Sequence, residues 1–301
     1  MPRLRRSELV TPATSEKMLK KAAQSPADIV IIDLEDAVTP DRKAEARQDA
    51  IAALTGLEWA GPARAVRINA PGQGQSLADL AALVPAAGSH LDLVVIPKVT
   101  SPRQVWWVAT TLAELEHQAG LSRPIGIEVV IEDVAAMAEL PAIARCSRRI
   151  EALSFGPGDF SASQGVDLRA AGNDRRDLYP GDVWHYVRSA MVIAARSAGI
   201  AAVDGAYAGL ADPDGYRREC VMSRTLGFDG KVAVHPSQTD IANEEYAPSP
   251  DQVAAARNMI AAHEEAARSG AGAATHDGKL IDAATLRSAQ RIAGQAERSA
   301  P

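Results

Sequence analysis

Eight short apolar runs, separated by stretches that read as helices, constrain this chain more than any other feature. They are Glu8–Thr11, Asp28–Leu34, Ala65–Asn69, Leu91–Lys98, Ile125–Glu132, Ala152–Phe155, Ala201–Asp204 and Val232–His235. Short apolar runs without clean polar alternation suit strands covered on both faces, as in a parallel sheet. The intervening segments carry helix-start signals. Thr14-Ser-Glu-Lys opens with hydroxyl residues, Pro40 follows Thr39, and Ser101-Pro102 repeats that entry. Eight strand–helix alternations over about 240 residues predict an α/β fold, a (β/α)8 TIM barrel. A doubly wound open sheet is the alternative, but no Gly-x-Gly-x-x-Gly follows the first run.

The remainder predicts a C-terminal helical appendage, which divides the chain into 1–245 and 246–301. After Tyr246-Ala-Pro-Ser-Pro250 comes a helix-like stretch, Asp251–Arg268, then a Gly/Ala-rich hinge, Ser269–Thr275, and a last helix from Ala283. Ser161–Gly181 is long for a connector and reads as a functional loop. Aromatics make up only 4% of the 301 residues, which favours helices on a small-residue sheet over a β-sandwich. The net charge of −6 gives no basic footprint for nucleic acid. Cys146 and Cys220 lack metal spacing and read as reduced thiols. No apolar run approaches the ~18 residues of a membrane span, and no apolar signal core follows the basic start. The expectation is a cytoplasmic protein with neither membrane nor nucleic-acid partners.

Charge at the ends of the apolar runs points to chemistry. Ile125-Gly-Ile-Glu-Val-Val-Ile-Glu132 and Leu153-Ser-Phe-Gly-Pro-Gly-Asp159 each finish on a carboxylate. Such ends are costly unless a metal, a cation or a proton neutralises them. Together they predict a hard-cation site at the C-terminal mouth of a barrel. The bland alternative makes Glu132 a helix cap and Asp159 the start of a turn. Glu128, Val130 and Glu132 share one face of their strand, and Glu132, nearest the loop, is the better ligand. Asp33-Leu-Glu35-Asp36 delivers three more acids to the same end, although a solvated loop would also explain them. Arg67 is a cation inside an apolar strand and needs a partner. Lys98 ends its run either as a Schiff-base nucleophile or, as preferred, in a structural ion pair. His235 reads as structural, and the absence of His-x-x-His pairs disfavours zinc.

Several segments, in this order and spacing, resemble the citrate lyase β-subunit-like CoA-ester lyases of the HpcH/HpaI aldolase/citrate lyase superfamily. They are Arg6-Ser-Glu-Leu-Val-Thr-Pro12, Ile32-Asp-Leu-Glu-Asp-Ala-Val38, Arg42-Lys43, Val66-Arg-Ile-Asn69 and Ile96-Pro-Lys-Val99. Ile131-Glu132, Phe155-Gly-Pro-Gly-Asp-Phe-Ser-Ala-Ser163, Gly227-Phe-Asp-Gly-Lys231 and His235-Pro236 complete the set. The forms around Glu132 and Asp159 look closest to the malyl-CoA and β-methylmalyl-CoA lyase branch.

The resemblance implies an enzyme that cleaves or forms a short 3-hydroxyacyl-CoA of the malyl-, methylmalyl- or citramalyl-CoA type. The products would be acetyl- or propionyl-CoA and a 2-oxo acid. It implies Mg2+, or Mn2+ in its place, on Glu132 and Asp159. Arg67 would hold the keto or hydroxy oxygen, with Glu35 and Asp36 supporting the metal's water shell. Arg6, Lys17 and Lys20 would approach the CoA phosphates, and Pro157 and Gly158 would border the substrate. Asp282 matches an acid/base that reaches a neighbouring subunit's site, which implies a homo-oligomer, a trimer or hexamer. Three readings stand beside it: a malyl-CoA thioesterase using the same metal site, a citrate lyase β subunit working in a complex, and a free-pyruvate aldolase. The chain departs from the pattern at Ala13, Asp133 and Ala283, where the family commonly has glycine, threonine and proline.

Overall fold

The computed structural model describes residues 3–166, 182–269, 274–276 and 279–299. Eight parallel strands close into a barrel in sequence order: β1 (Ser7–Pro12), β2 (Ile29–Asp33), β3 (Ala63–Arg67), β4 (Leu93–Ile96), β5 (Gly126–Ile131), β6 (Ile150–Phe155), β7 (Ala201–Asp204) and β8 (Gly230–Ala233). β8 closes on β1, with Glu8 opposite Val232. Every expected run holds a strand, but several bounds move. β4 stops at Ile96 because Pro97 has no N–H to donate, and β8 stops before the exposed turn that carries His235.

Helices follow the strands: α1 (Glu16–Ala23), α2 (Lys43–Gly56), α3 (Ser76–Ala87), α4 (Pro102–Ala119), α5 (Val134–Arg145), α6 (Pro157–Gln164), α7 (His185–Ala198), α8 (Pro213–Leu226) and α9 (Pro236–Tyr246). Ser101 and Gln104 close a capping box on α4, as Ser-Pro predicted. Ser161 to Gln164 is the end of α6 rather than loop. The rest of the expected long loop, from 167 to 181, lies outside the described residues.

Inside the barrel, Ile29, Ile31, Ala65, Leu93, Val95 and Val130 pack together. Below them a charged plug closes the N-terminal end: Arg5 Nη1 donates to Glu8 at 2.8 Å and to Glu128 at 2.5 Å. All three side chains are buried. Glu128 is therefore committed to the floor, which leaves the open end to Glu132.

The chain divides into two compact units, 1–243 and 244–301. In the second, α10 (Pro250–Arg268) packs on α11 (Ala283–Ser299), and β9 (Ala274–His276) pairs antiparallel with β10 (Lys279–Ile281). Ser249 and Gln252 cap α10 reciprocally, and Ala256, Ala289 and Ala293 are buried. None of the described helices is long and apolar enough to cross a membrane.

Candidate active site

A cavity of about 700 Å3 opens at the C-terminal end of the barrel, and Asp36, Arg67, Glu132, Pro157, Gly158 and Asp159 all line it. Their side chains arrive from the C-terminal ends of β2, β3, β5 and β6, which is where barrels of this topology gather reactive groups.

Arg67 ends β3 beside Asp33, its register neighbour at the end of β2. Its Nε and Nη2 fork onto the two Asp33 oxygens at 2.7 Å each. Asp33 also accepts the N–H groups of Glu35 and Ala37. Burial pushes its carboxyl up, but the hydrogen bonds and charge of Arg67 outweigh this and hold it below the usual range. The fork fixes the guanidinium and leaves Nη1, 3.9 Å from Asp36 Oδ2, as the edge toward the cavity.

Glu35 is buried, and among the described residues neither of its carboxylate oxygens meets a well-directed hydrogen-bond donor. Lys98 Nζ approaches its Oε1 to 2.9 Å and Arg67 Nε its Oε2 to 3.5 Å, as charges rather than well-directed donors. Burial raises the Glu35 carboxyl above its ordinary range. Lys43 Nζ donates to the carbonyls of Leu34 and Glu35, which pins the acidic loop. Asp36 is half-exposed and accepts from Lys98 Nζ at 2.9 Å.

Glu132, just past β5, is 5% exposed. Its Oε1 accepts the Lys98 main-chain N–H at 2.6 Å. Burial pushes its carboxyl up to about 7; the Lys98 N–H opposes the shift, and the charges of Glu35 and Asp159 add to it. It does not cap α5, a task taken by Asp133, which accepts from Ala135 N. Asp159 is not the end of a strand. Pro157 starts α6 directly after Gly156, so Asp159 lies in the first helical turn, half-exposed, where the helix dipole favours a negative charge. Gly156 is demanded by Glu132: a Cβ there would lie 2.5 Å from both its Cβ and its Oε2.

Arg6, Lys17 and Lys20 do not line this cavity. Arg6 lies at the N-terminal end of β1, the opposite end, where its Nε and Nη2 bond Asp28 at 2.9 and 2.7 Å. Strand polarity decides this, since residues before a strand face the barrel's closed end. Lys17 and Lys20 are exposed on α1, with Lys20 paired to Glu16. Asp282 belongs to the second unit, where it is exposed and its Oδ1 accepts Thr285 N at the start of α11. That hydrogen bond holds its carboxyl below the usual range.

Other residues enter without having been singled out. Arg188, on α7, lines the cavity with its guanidinium 5.4 Å from the Phe155 ring and 5.5 Å from Trp184. It bonds Asp204, which also receives Lys231 Nζ at 2.6 Å. Its sequence signal is an arginine on the otherwise apolar helix face of Val187, Met191 and Ala195. Asp33 as the holder of Arg67 has a signal too: an acid and an arginine end adjacent strands.

The family model described as HpcH/HpaI aldolase/citrate lyase matches residues 6–236, the whole barrel with this site. The chain belongs to that family. An L-malyl-CoA/beta-methylmalyl-CoA lyase of Cereibacter sphaeroides is 38% identical over 300 residues, covering 97% of this chain and 94% of the relative. A (3S)-malyl-CoA thioesterase of the same organism is 34% identical over 292 residues, with 97% and 94% covered. Among solved structures, Mycobacterium tuberculosis CitE in complex with magnesium, acetoacetate and coenzyme A superposes with a TM-score of 0.73. It is 29% identical and covers 97% of each chain.

The site suits a divalent cation on its own chemistry. Asp33, Glu35, Asp36, Glu132 and Asp159 stand against Arg67, Lys98 and Lys43, an excess of two negative charges when all are ionised. Among the described residues no three His, Cys, Asp or Glu side chains form a ready-made metal cage. A cation held by two carboxylates, with substrate and water completing its shell, needs none.

Proposed function

We propose that this chain is a divalent-cation-dependent CoA-ester lyase. It reversibly cleaves a short 3-hydroxyacyl-CoA of the malyl-CoA type to acetyl- or propionyl-CoA and a 2-oxo acid. The observation that carries this is the convergence of Glu132, Asp159 and the forked Arg67 on one cavity. Support comes from the family and from relatives whose names specify malyl-CoA chemistry.

Glu132 and Asp159 would hold Mg2+, or Mn2+ in its place, and Glu35 and Asp36 would accept from its water. Bound there, the cation supplies Lewis-acid polarisation of the hydroxy or keto oxygen and the adjacent carboxylate. Arg67, immobilised by Asp33, donates Nη1 to the same substrate oxygen and stabilises its negative charge as the carbon–carbon bond breaks or forms. Preorganisation matters here, because the fork removes the cost of ordering the arginine during reaction. Pro157 and Gly158 border the substrate. In the condensing direction Asp282 of a neighbouring subunit takes the α-proton of the acyl-CoA, leaving an enolate that attacks the keto carbon. The alkoxide so formed takes a proton from water, and in cleavage the hydroxyl proton leaves to water while Asp282 returns its own proton to the α-carbon. As an exposed aspartate it is ionised near neutral pH, as a base must be. A homo-oligomer, trimer or hexamer, is part of this reading, as is a cytoplasmic location.

Incubation with a panel of acyl-CoAs and 2-oxo acids under Mg2+ tests the proposal, with CoA esters and free CoA scored separately. Carbon–carbon products should appear and vanish with EDTA. Glu132→Ala and Asp159→Ala should each lower turnover by about 10²-fold or more. Full activity of either variant, or of the wild type in EDTA, would sink the reading. The 34%-identical thioesterase supports a second reading, hydrolysis of the thioester at the same site. Release of free CoA without a 2-oxo acid would select it.

A further inference from the structure

Lys98 touches the acidic cluster twice, once with each end of the residue. Its main-chain N–H is bonded to Glu132 Oε1 at 2.6 Å. Its Nζ lies 2.9 Å from Glu35 Oε1, 2.9 Å from Asp36 Oδ1 and 3.8 Å from Asp159 Oδ2. Every site carboxylate not closed off by Arg67 is thus in the reach of this one residue. Among the described residues it is also the only non-glycine with a positive φ, +53°. Glycine or asparagine adopts that conformation more cheaply, so a lysine there is held against local preference.

A purely structural ion pair needs only one acid, held in one geometry. The Lys98 side chain instead shares three acids and is 32% exposed, so its flexible stem can leave without opening the core. An ammonium and a divalent cation cannot both sit among the same oxygens without strong repulsion. Building on the proposed cation site, we propose that Lys98 is a tethered counter-ion that holds the cation's place. In the cation-free enzyme its single positive charge is shared among Glu35, Asp36 and Asp159. When a divalent cation arrives the side chain swings outward, while the main-chain N–H stays on Glu132 and keeps that carboxylate aimed. Lys98 is in this sense a positioning residue that sets cation affinity. It makes the empty site less self-repulsive, and the cost is weaker binding.

The test uses the full chain and Mn2+ alone, with affinity read by calorimetry or by the free-ion paramagnetic signal. Lys98→Met should bind Mn2+ about tenfold more tightly than wild type, since one like charge is removed from a partly solvated site. In EDTA its melting midpoint should fall below wild type, and saturating Mn2+ should raise it by more than it raises wild type. Lys98→Arg keeps the charge and should stay near wild-type affinity. Lys98→Gln gives the same comparison as Lys98→Met should the latter not fold. If wild type binds Mn2+ and the neutral variants bind it equally or more weakly, the counter-ion role is overturned. If wild type binds no Mn2+, the cation site itself is wrong, and this inference falls with it.

Discussion

Glu132 is pulled in two directions: it must be ionised to hold a cation, yet its burial favours the neutral acid. Burial, with Glu35 and Asp159 adding, pushes its carboxyl up to about 7 from an ordinary 4.5. In the absence of cation the folded state keeps a proton that the unfolded chain has released between pH 4.5 and 7. Stability is therefore lost as pH rises through that window, by about 3 kcal/mol for this group. A bound cation reverses the trend, because it needs the carboxylate. Mn2+ affinity should fall about tenfold per pH unit below about 7, and Glu132→Gln should remove that proton competition along with most of the binding. Calorimetric titrations between pH 5.5 and 8 would show it, and a flat pH profile for wild type would contradict it. At this scale the sequence was informative about identity and poor about partners. Glu132 and Arg67 were legible because a charge inside or ending an apolar run demands an explanation. The Lys98 N–H on Glu132 was not, because it depends on a left-handed backbone conformation that no residue pattern encodes. Asp159 was legible as an acid but misplaced, since a proline after glycine could equally close a turn or start a helix.

The barrel elements place these residues by polarity, which is why the C-terminal strand ends were readable and Arg6 was not. The eight runs specify a parallel closed sheet through burial on both faces, but their ends blur where charged residues continue an apolar pattern. A second charged cluster braces the far side of the mouth. Asp204 ends β7 fully buried and accepts both Arg188 and Lys231. Burial would raise its carboxyl, yet Lys231 and then Arg188 outweigh this and bring it to about 2 from 3.8. Its folded value is depressed, so its contribution is complete above about pH 4 and lost as pH falls toward 2. That contribution is about 2 kcal/mol. Asp204→Asn should cost more, about 3 kcal/mol, since it strips a carboxylate from buried cations. Urea unfolding at pH 7 would measure the loss. Glu219 lies 3.1 Å from Lys231 Nζ and Asp182 pairs with Arg188 Nη1, so a variant as stable as wild type would mean that these two acids satisfy the cations without help. The same cluster stands near the residue pair Gly205 and Pro157. A Cβ on Gly205 would run into the Pro157 ring and approach the Phe155 carbonyl at 2.6 Å. Packing this close at the start of α6 holds the turn that presents Asp159.

The two units of the chain divide the chemistry unequally. On the proposed reading the barrel holds cation ligands and an oxyanion partner but no base for the acyl-CoA α-proton. Asp282 is exposed, and among the described residues its hydrogen bonds are to its own helix start, which on that reading leaves it free for a neighbouring copy. Its part in the reaction came from resemblance, since an exposed aspartate that caps a helix carries no functional signal by itself. Asp282→Asn retains the capping acceptor, so it should fold normally and bind Mn2+ with wild-type affinity. Its turnover should drop by about 10²- to 10⁴-fold, the usual contribution of a positioned acid/base. Subunit mixing then separates a base acting within one chain from one acting across chains. Glu132→Ala and Asp282→Asn homo-oligomers should each be nearly inactive. Dissociated and reassembled together, they should regain activity, because some sites then pair an intact Glu132 with a neighbour's intact Asp282. If the base served its own barrel, a mixed assembly would contain no intact site and activity would stay near the level of the parents. Restored turnover with Mg2+ dependence equal to wild type would assign each half of the site to a different subunit.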